Sequence, residues 1–281
     1  MGDIQSESKL VWKLVKDILL LPFTLVLVLF GRKTIGDLFQ PIKDLIAFLF
    51  EAKVTITLVI LNVAIFFGLN LLFMYGYITM EFIESYFIDT PQRFLSLNFL
   101  PIVGSWFFHG SLLHLLGNMI FLFIFGKVVE KNIGAFKTLL VYFGAAIASA
   151  TADNLAHIYL IHIENYGSLG ASGAIAGLGA ASLLLNPFYI SWLAFGIPLP
   201  IIAVVILQIY TDVTGLLYPD GISRTAHLGG YASVAIIMFI LGAESREKMK
   251  KGFIICMVTV ILAAIAYFIA KRYWDFDLIF F

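Results

Sequence analysis

The sequence predicts an all-α membrane protein: a six-helix core followed by a seventh, C-terminal transmembrane helix. Of its 281 residues, 61% are hydrophobic and only 13% are charged. A soluble domain cannot hide that much apolar surface in one core. Charge-free runs also recur along the chain at lengths that suit spans of about 20 residues.

Taken in order, Val54–Met80 holds a first helix from Val54 to Tyr75. The next charge-free run, Phe94–Gly126, is longer than one span needs, so it divides into a loop end and a second helix from Leu112. Thr138–Ala152 continues past Asp153 as the third. Asn165–Thr211 is too long for one span, and Asn186-Pro187 divides it, because the residue before proline avoids helical angles. The fourth and fifth helices then cover Gly170–Leu185 and Tyr189–Gln208, and Thr225–Ala243 and Gly252–Ala270 are the sixth and seventh.

Before the first span, the apolar run Ile18–Gly31 is interrupted by Pro22 and flanked by Lys13, Lys16 and Arg32-Lys33. Its length suits an interfacial segment at an anionic surface, not a span or a cleaved signal peptide. The division predicted is residues 1–53 as a cytoplasmic or interfacial extension, 54–243 as the six-helix core, and 244–281 as a cytoplasmic loop, a seventh helix and a short outer tail. Tyr77–Phe108, rich in aromatic and apolar residues, reads as a loop lying in the outer interface.

Lysine and arginine set the orientation. Fourteen lie on the side of the N-terminus and four on the other, so the N-terminus is expected in the cytoplasm. The even-numbered helices then run inward, and His114, Ser172 and His227, each within the first residues of its helix, share a depth near the outer face. The cell membrane is the expected location. A formal net charge of zero with no dense basic tract excludes nucleic acid as a partner. The single cysteine, Cys256, excludes an internal disulfide or a multi-thiolate metal site.

Polar groups in hydrocarbon cost free energy, so clusters at one depth indicate a site. In Gly170-Ala171-Ser172-Gly173, the glycines Gly173 and Gly177 with Ala181 form a small-residue face for close helix packing. The same small neighbours would let a base approach the Ser172 hydroxyl. His227 precedes Gly229 and Gly230, which thin its helix; if the fourth and sixth helices touch, Ser172 and His227 can meet as nucleophile and general base. No acidic residue accompanies either motif, so a dyad is expected. His114 and Asn118, four apart, share a helix face and can both donate a hydrogen bond to an oxyanion. His109 reads as a structural residue tying the preceding loop to the bundle.

These three motifs resemble, in order and spacing, those of the rhomboid family of intramembrane serine proteases: His109-Gly-Ser-Leu-Leu-His114-Leu-Leu-Gly-Asn118, Gly170-Ala-Ser172-Gly173 and Ala226-His227-Leu-Gly-Gly230. The resemblance covers Val54 to Ala243, with helix seven as an addition that some members carry. It implies that Ser172 is the nucleophile, that His227 is the base, and that His114 and Asn118 are oxyanion donors beside the Ser172 amide. It also implies that the fifth helix controls substrate access. Gly170, Gly173, Gly229 and Gly230 support the site. The chain departs from the family's pattern at Leu100-Pro101, Ala176 and Val234.

The function expected is therefore an intramembrane serine endopeptidase. It would act on single-span membrane proteins near the outer face, within the lipid bilayer and with no metal or other cofactor. A catalytically inactive relative that binds membrane clients is the alternative. An aspartyl protease needs paired intramembrane aspartates, and only Asp153 is read as lying within a span. The zinc motif His-Glu-x-x-His is absent, and His157, His162 and Glu164 read as a solvated loop. A transporter would show internal repeats.

Overall fold

The computed structural model describes residues 4–163, 166–191, 198–216, 218 and 220–274. Four short helices come first: α1 (Ile4–Leu19), α2 (Leu21–Leu29), α3 (Ile35–Leu38) and α4 (Gln40–Leu49). Pro22 sits in the first turn of α2, where its missing N–H costs nothing. At nine residues, α2 is about 13 Å long and far short of a bilayer core. Lys13 pairs with Asp44 at 2.5 Å, joining α1 to α4.

α5 (Lys53–Met74) is the first helix of membrane length. Its orphan N-terminal amides are satisfied from a distance. Glu130 accepts from the Val54 amide (3.0 Å), the Thr55 amide (2.8 Å) and the Thr55 hydroxyl (2.8 Å). A carboxylate there also complements the helix dipole. Nearby, the Lys127 ammonium lies 3.2 Å from the Phe48 ring centre and 3.1 Å from Glu51, fastening the N-terminal helices to the bundle.

The expected interfacial loop contains three short helices: α6 (Met80–Phe87), α7 (Pro91–Leu95) and α8 (Phe99–Ser105). Tyr77, Leu97, Phe99 and Leu100 are exposed on it. Backbone hydrogen bonds help to hold it to the bundle. Asp89 and Ser168 exchange backbone hydrogen bonds of 3.0 and 2.8 Å, and the Gly170 amide donates to the Ser105 carbonyl at 2.8 Å.

α9 (Leu112–Ile133) turns through Gly134, at φ +87°, into α10 (Ala135–Ala156), which ends in a π-helical turn, His157–Ile161. α11 (Ser172–Leu185) is the centre of the bundle, buried from Gly173 to Gly179 and in contact with α9, α10 and the later helices α12 (Ile201–Thr214), α13 (Arg224–Ile240) and α14 (Ala243–Trp274). Its small residues permit this. Gly173 faces Ser149 of α10, and Gly177 faces Ala145 of α10 and the Gly230 carbonyl of α13. A side chain at any of these positions would force helices apart.

Beyond α11 the structure departs from the expected helix boundaries. The segment that begins at Tyr189 is not helical at its start. Ile190–Ser191 pairs antiparallel with Leu199–Pro200, residues 192–197 lie outside the described residues, and α12 covers Ile201–Thr214. The Asn186-Pro187 break ends α11 as expected, but Pro198 and Pro200 delay the next helix until after the second proline, where a fixed φ suits a helix start. The helix also extends past Gln208 and includes Asp212.

α13 (Arg224–Ile240) turns through Gly242 into α14 (Ala243–Trp274). The stretch expected as a cytoplasmic loop, Glu244–Lys251, is instead the first two turns of this 32-residue helix. Glu244–Lys248 (2.8 Å) and Glu247–Lys251 (3.8 Å) lie four apart, a spacing that favours helix over loop. Residues 275–281 of the expected tail lie outside the described residues.

The fold is mostly helical. Four stretches, Lys53–Met74, Leu112–Ile133, Ala135–Ile161 and Ala243–Ile269, are long and apolar enough to cross a membrane, which makes this an integral membrane protein. α11 and α12 have 14 residues each, fewer than the about 20 of a full span, and α13 has 17, at the short end of that range.

Candidate active site

Each candidate side chain is placed by a local device. Ser111 caps α9 by accepting from the His114 amide at 3.1 Å, which starts the helix so that His114 and Asn118 face inward one turn apart. Ser172 opens α11. The chain enters that helix through Gly170 at φ +109°, and a Cβ there would lie 2.8 Å from the His114 ring. Only glycine satisfies both the backbone angle and the approach. Ser223 caps α13 by accepting from the Ala226 amide at 3.3 Å, one residue before His227.

The α13 N-terminus is itself held by Asp153 of α10, which accepts from the Ser223 and Thr225 hydroxyls, both at 2.5 Å. The one acid read as intramembrane thus anchors the helix that carries His227. His157 contacts the Asp153 carbonyl at 2.9 Å and stacks on Tyr166 at 3.9 Å between ring centres. Glu164, expected with His157 and His162 in a solvated loop, lies outside the described residues, and among those described no three His, Cys, Asp or Glu side chains are placed to hold a metal ion.

Ser172, His227, His114 and Asn118 come from three helices, α11, α13 and α9, and line the same two adjoining cavities. One, of about 720 Å³, also borders Ser149, Gly170, Gly173 and Ser223. The other, of about 360 Å³, opens between α9 and α12 and borders Gln208, Asp212 and Tyr231. Ser172, His114 and His227 are half-buried, while Asn118 is buried, with its Nδ2 donor lacking a hydrogen-bond partner. Buried donors are nearly always satisfied, so one that is not needs an explanation.

The supporting residues divide differently from the expectation. Gly230 does lie against α11, facing the Gly173 carbonyl, but Gly229 faces α10, with the Ala148 carbonyl 3.0 Å from where its Cβ would be. One glycine seats α13 against each neighbour. His109 is fully buried, its ring 5.0 Å from that of His114. Burial, together with the His114 ring, lowers its pKa from 6.5 to about 4, so it is neutral at physiological pH.

The expectation that no acid accompanies the histidine motif is overturned. Asp212 of α12 lies 3.0 Å from His227 Nδ1 and accepts from the Tyr231 hydroxyl at 2.9 Å. The sequence held two signals for it. Asp212 ends the charge-free run that contains the fourth and fifth helices, and Tyr231 stands four residues after His227, on the same helix face.

The loop between α5 and α9 carries a buried titratable group. Asp89 is buried, with one carboxylate oxygen accepting from Asn154 at 2.7 Å and the other unpartnered. Burial raises its pKa from 3.8 to about 6. The folded state therefore binds a proton more readily than the unfolded chain does, and Asp89 makes stability fall as pH rises from about 4 to about 6. Asp89→Asn is expected to raise the thermal midpoint near neutral pH and to leave it unchanged near pH 4. Equal midpoint differences at both pH values would rule this out.

Comparison with known proteins agrees with this architecture. The Rhomboid domain family model matches residues 97–244. RHOMBOID-like protein 12, mitochondrial, of Arabidopsis thaliana is 28% identical over 199 residues, covering 66% of this chain and 57% of that protein. RHOMBOID-like protein 4 of the same plant is 30% identical over 157 residues, covering 54% of this chain and 34% of that protein. Rhomboid protease AarA of Providencia stuartii is 26% identical over 213 residues, covering 65% of this chain and 70% of that protein. The chain spans a little over half the length of the first of these relatives and about a third of the second. The family model takes in more than half of the chain, including His109, His114, Asn118, Ser172 and His227, and on that match the chain belongs to the rhomboid family.

Proposed function

We propose that the protein is an intramembrane serine endopeptidase in which Ser172 is the nucleophile and His227 the general base. The observation that carries this is the convergence of Ser172, His227, His114 and Asn118 on one cavity, with the Asn118 donor buried and unpartnered. Ser172 Oγ attacks the scissile carbonyl carbon and its proton passes to His227. Charge on the former carbonyl oxygen is stabilised by His114, Asn118 and the Ser172 amide. Collapse of the intermediate breaks the C–N bond, and His227 gives its proton to the leaving amine. Water, activated by the same histidine, then hydrolyses the acyl-enzyme.

The topology that goes with this reading is the six-plus-one arrangement over 54–243 and 244–281, after a cytoplasmic or interfacial extension, 1–53. The N-terminus is cytoplasmic and the site lies near the outer face of the cell membrane. Seven basic residues up to Lys53 and the shared position of three motifs at helix starts support it.

A fluorophosphonate probe tests the chemistry. The wild-type protein is labelled, Ser172→Ala is not, and His227→Ala is labelled far more slowly. A wild-type protein that folds but takes no label would favour the alternative, an inactive relative that binds membrane clients.

The substrate class follows from backbone geometry. A peptide bond within an intact membrane helix is hydrogen-bonded and wrapped by side chains, so the client segment must unwind before Ser172 can reach it. Glycine and proline lower that cost by about 1 and 3 kcal/mol relative to alanine. The clients are single-span proteins with small or helix-breaking residues in the outer half of the span. Replacing those residues with leucine is expected to slow cleavage at equal insertion, and undiminished cleavage would remove unwinding as the selecting step.

A further inference from the structure

We infer that Asp212 is the positioning residue for His227, making the site a serine–histidine–aspartate arrangement assembled across α11, α13 and α12. The inference rests on the proposed roles of Ser172 and His227. Asp212 is buried near the C-terminal end of α12. A carboxylate there is costly unless its oxygens accept hydrogen bonds, and both do: Oδ1 faces His227 Nδ1 at 3.0 Å and Oδ2 accepts from the Tyr231 hydroxyl at 2.9 Å.

The donor inventory settles what this contact does to the ring. An ionised carboxylate only accepts, so Nδ1 must carry the proton and Nε2 is left with its lone pair. That is the tautomer a general base needs, and the same carboxylate stabilises the imidazolium that forms when Ser172 loses its proton. Tyr231, four residues on from His227 on the same face, donates to the second oxygen and so offsets the cost of burying it. The other titratable groups near His227 are engaged elsewhere or uncharged donors: His114 lies across the cavity from α9 and packs on His109, Arg224 pairs with Asp220, and Asp153 of α10 holds Ser223 and Thr225.

The test uses the full chain and a fluorophosphonate probe, whose saturation kinetics separate the bond-forming rate (kinact) from probe binding (KI). Asp212→Asn has the same shape but cannot hold the ring in one tautomer. It should lower kinact by about 10²-fold, the cost of a misplaced catalytic group, with KI changed by less than about twofold. In a His227→Ala background, Asp212→Asn should cause no further loss, because Asp212 acts only through that ring.

Tyr231→Phe removes a tie between the same two helices but keeps the Nδ1 contact. It should lower the thermal midpoint while keeping most of kinact. If Asp212→Asn does not fold, Asp212→Glu is read instead, and its displaced carboxylate should lower kinact with KI unchanged. Wild-type kinact in the Asp212 variant, a further loss in the His227→Ala background, or equal losses of kinact in Asp212→Asn and Tyr231→Phe would each overturn the assignment and leave Asp212 as a helix clamp. Wild-type labelling of His227→Ala would instead overturn the base role on which the inference rests.

Discussion

Ser172→Ala is expected to abolish cleavage of a membrane-inserted substrate while leaving the fold intact. The substitution removes one oxygen from a half-buried residue at the start of α11 and takes no packing area from the glycine contacts around it. Its thermal midpoint should therefore match the wild type, within the roughly 0.5 kcal/mol typical of substitutions that break no special feature. Turnover should fall by about 10⁴-fold or more, since removal of a nucleophile leaves only oxyanion stabilisation and binding.

His227→Ala should be equally inactive but behave differently on heating. It strips one of two donors from the buried Asp212, and such a loss costs about 1–3 kcal/mol. Cleavage by purified, reconstituted Ser172→Ala at more than about 1% of the wild-type rate would exceed what binding alone can supply, and would remove Ser172 from the mechanism.

Asn118→Ala is expected to reduce kcat by about 10²–10³-fold with little change in KM, because an oxyanion donor acts mainly on charge that develops in the transition state. This substitution has a second signature. Asn118 Nδ2 is buried without a partner in the resting protein, so its removal relieves a desolvated donor instead of breaking a bond. Activity should fall while the thermal midpoint holds or rises. His114→Ala should lose comparable activity but also lose stability, since its ring packs against His109 and closes over Gly170. A raised KM with kcat intact in both variants would assign them to substrate positioning.

Much of this is legible in the amino-acid sequence. Helices over Val54–Tyr75 and from Leu112 lie where charge-free runs of span length predict them, because hydrocarbon tolerates charge so poorly that the pattern is written directly into the chain. Ser172, His227, His114 and Asn118 are recognisable as polar residues in the first two turns of apolar helices, and the structure brings all four to one cavity. The basic stretch after Gly242 misled because charge density alone cannot distinguish a solvated loop from a helix laced with Glu–Lys pairs four apart.

The sequence by itself determined the membrane class, the positions of the long spans, the family resemblance and the four candidate residues. Those depend on composition, on local periodicity and on short motifs, all of which are read along one dimension. Tertiary structure decided that Glu130 caps α5 from 75 residues away, that Gly229 and Gly230 serve different neighbours, and that Asp212 meets His227 from another helix. α12 begins at Ile201, after Pro198 and Pro200, instead of at the expected Tyr189, and it runs through Asp212 to Thr214. No local pattern encodes such contacts, because a hydrogen bond between helices depends on how the bundle closes, and that is set by the summed packing of glycine faces against their neighbours.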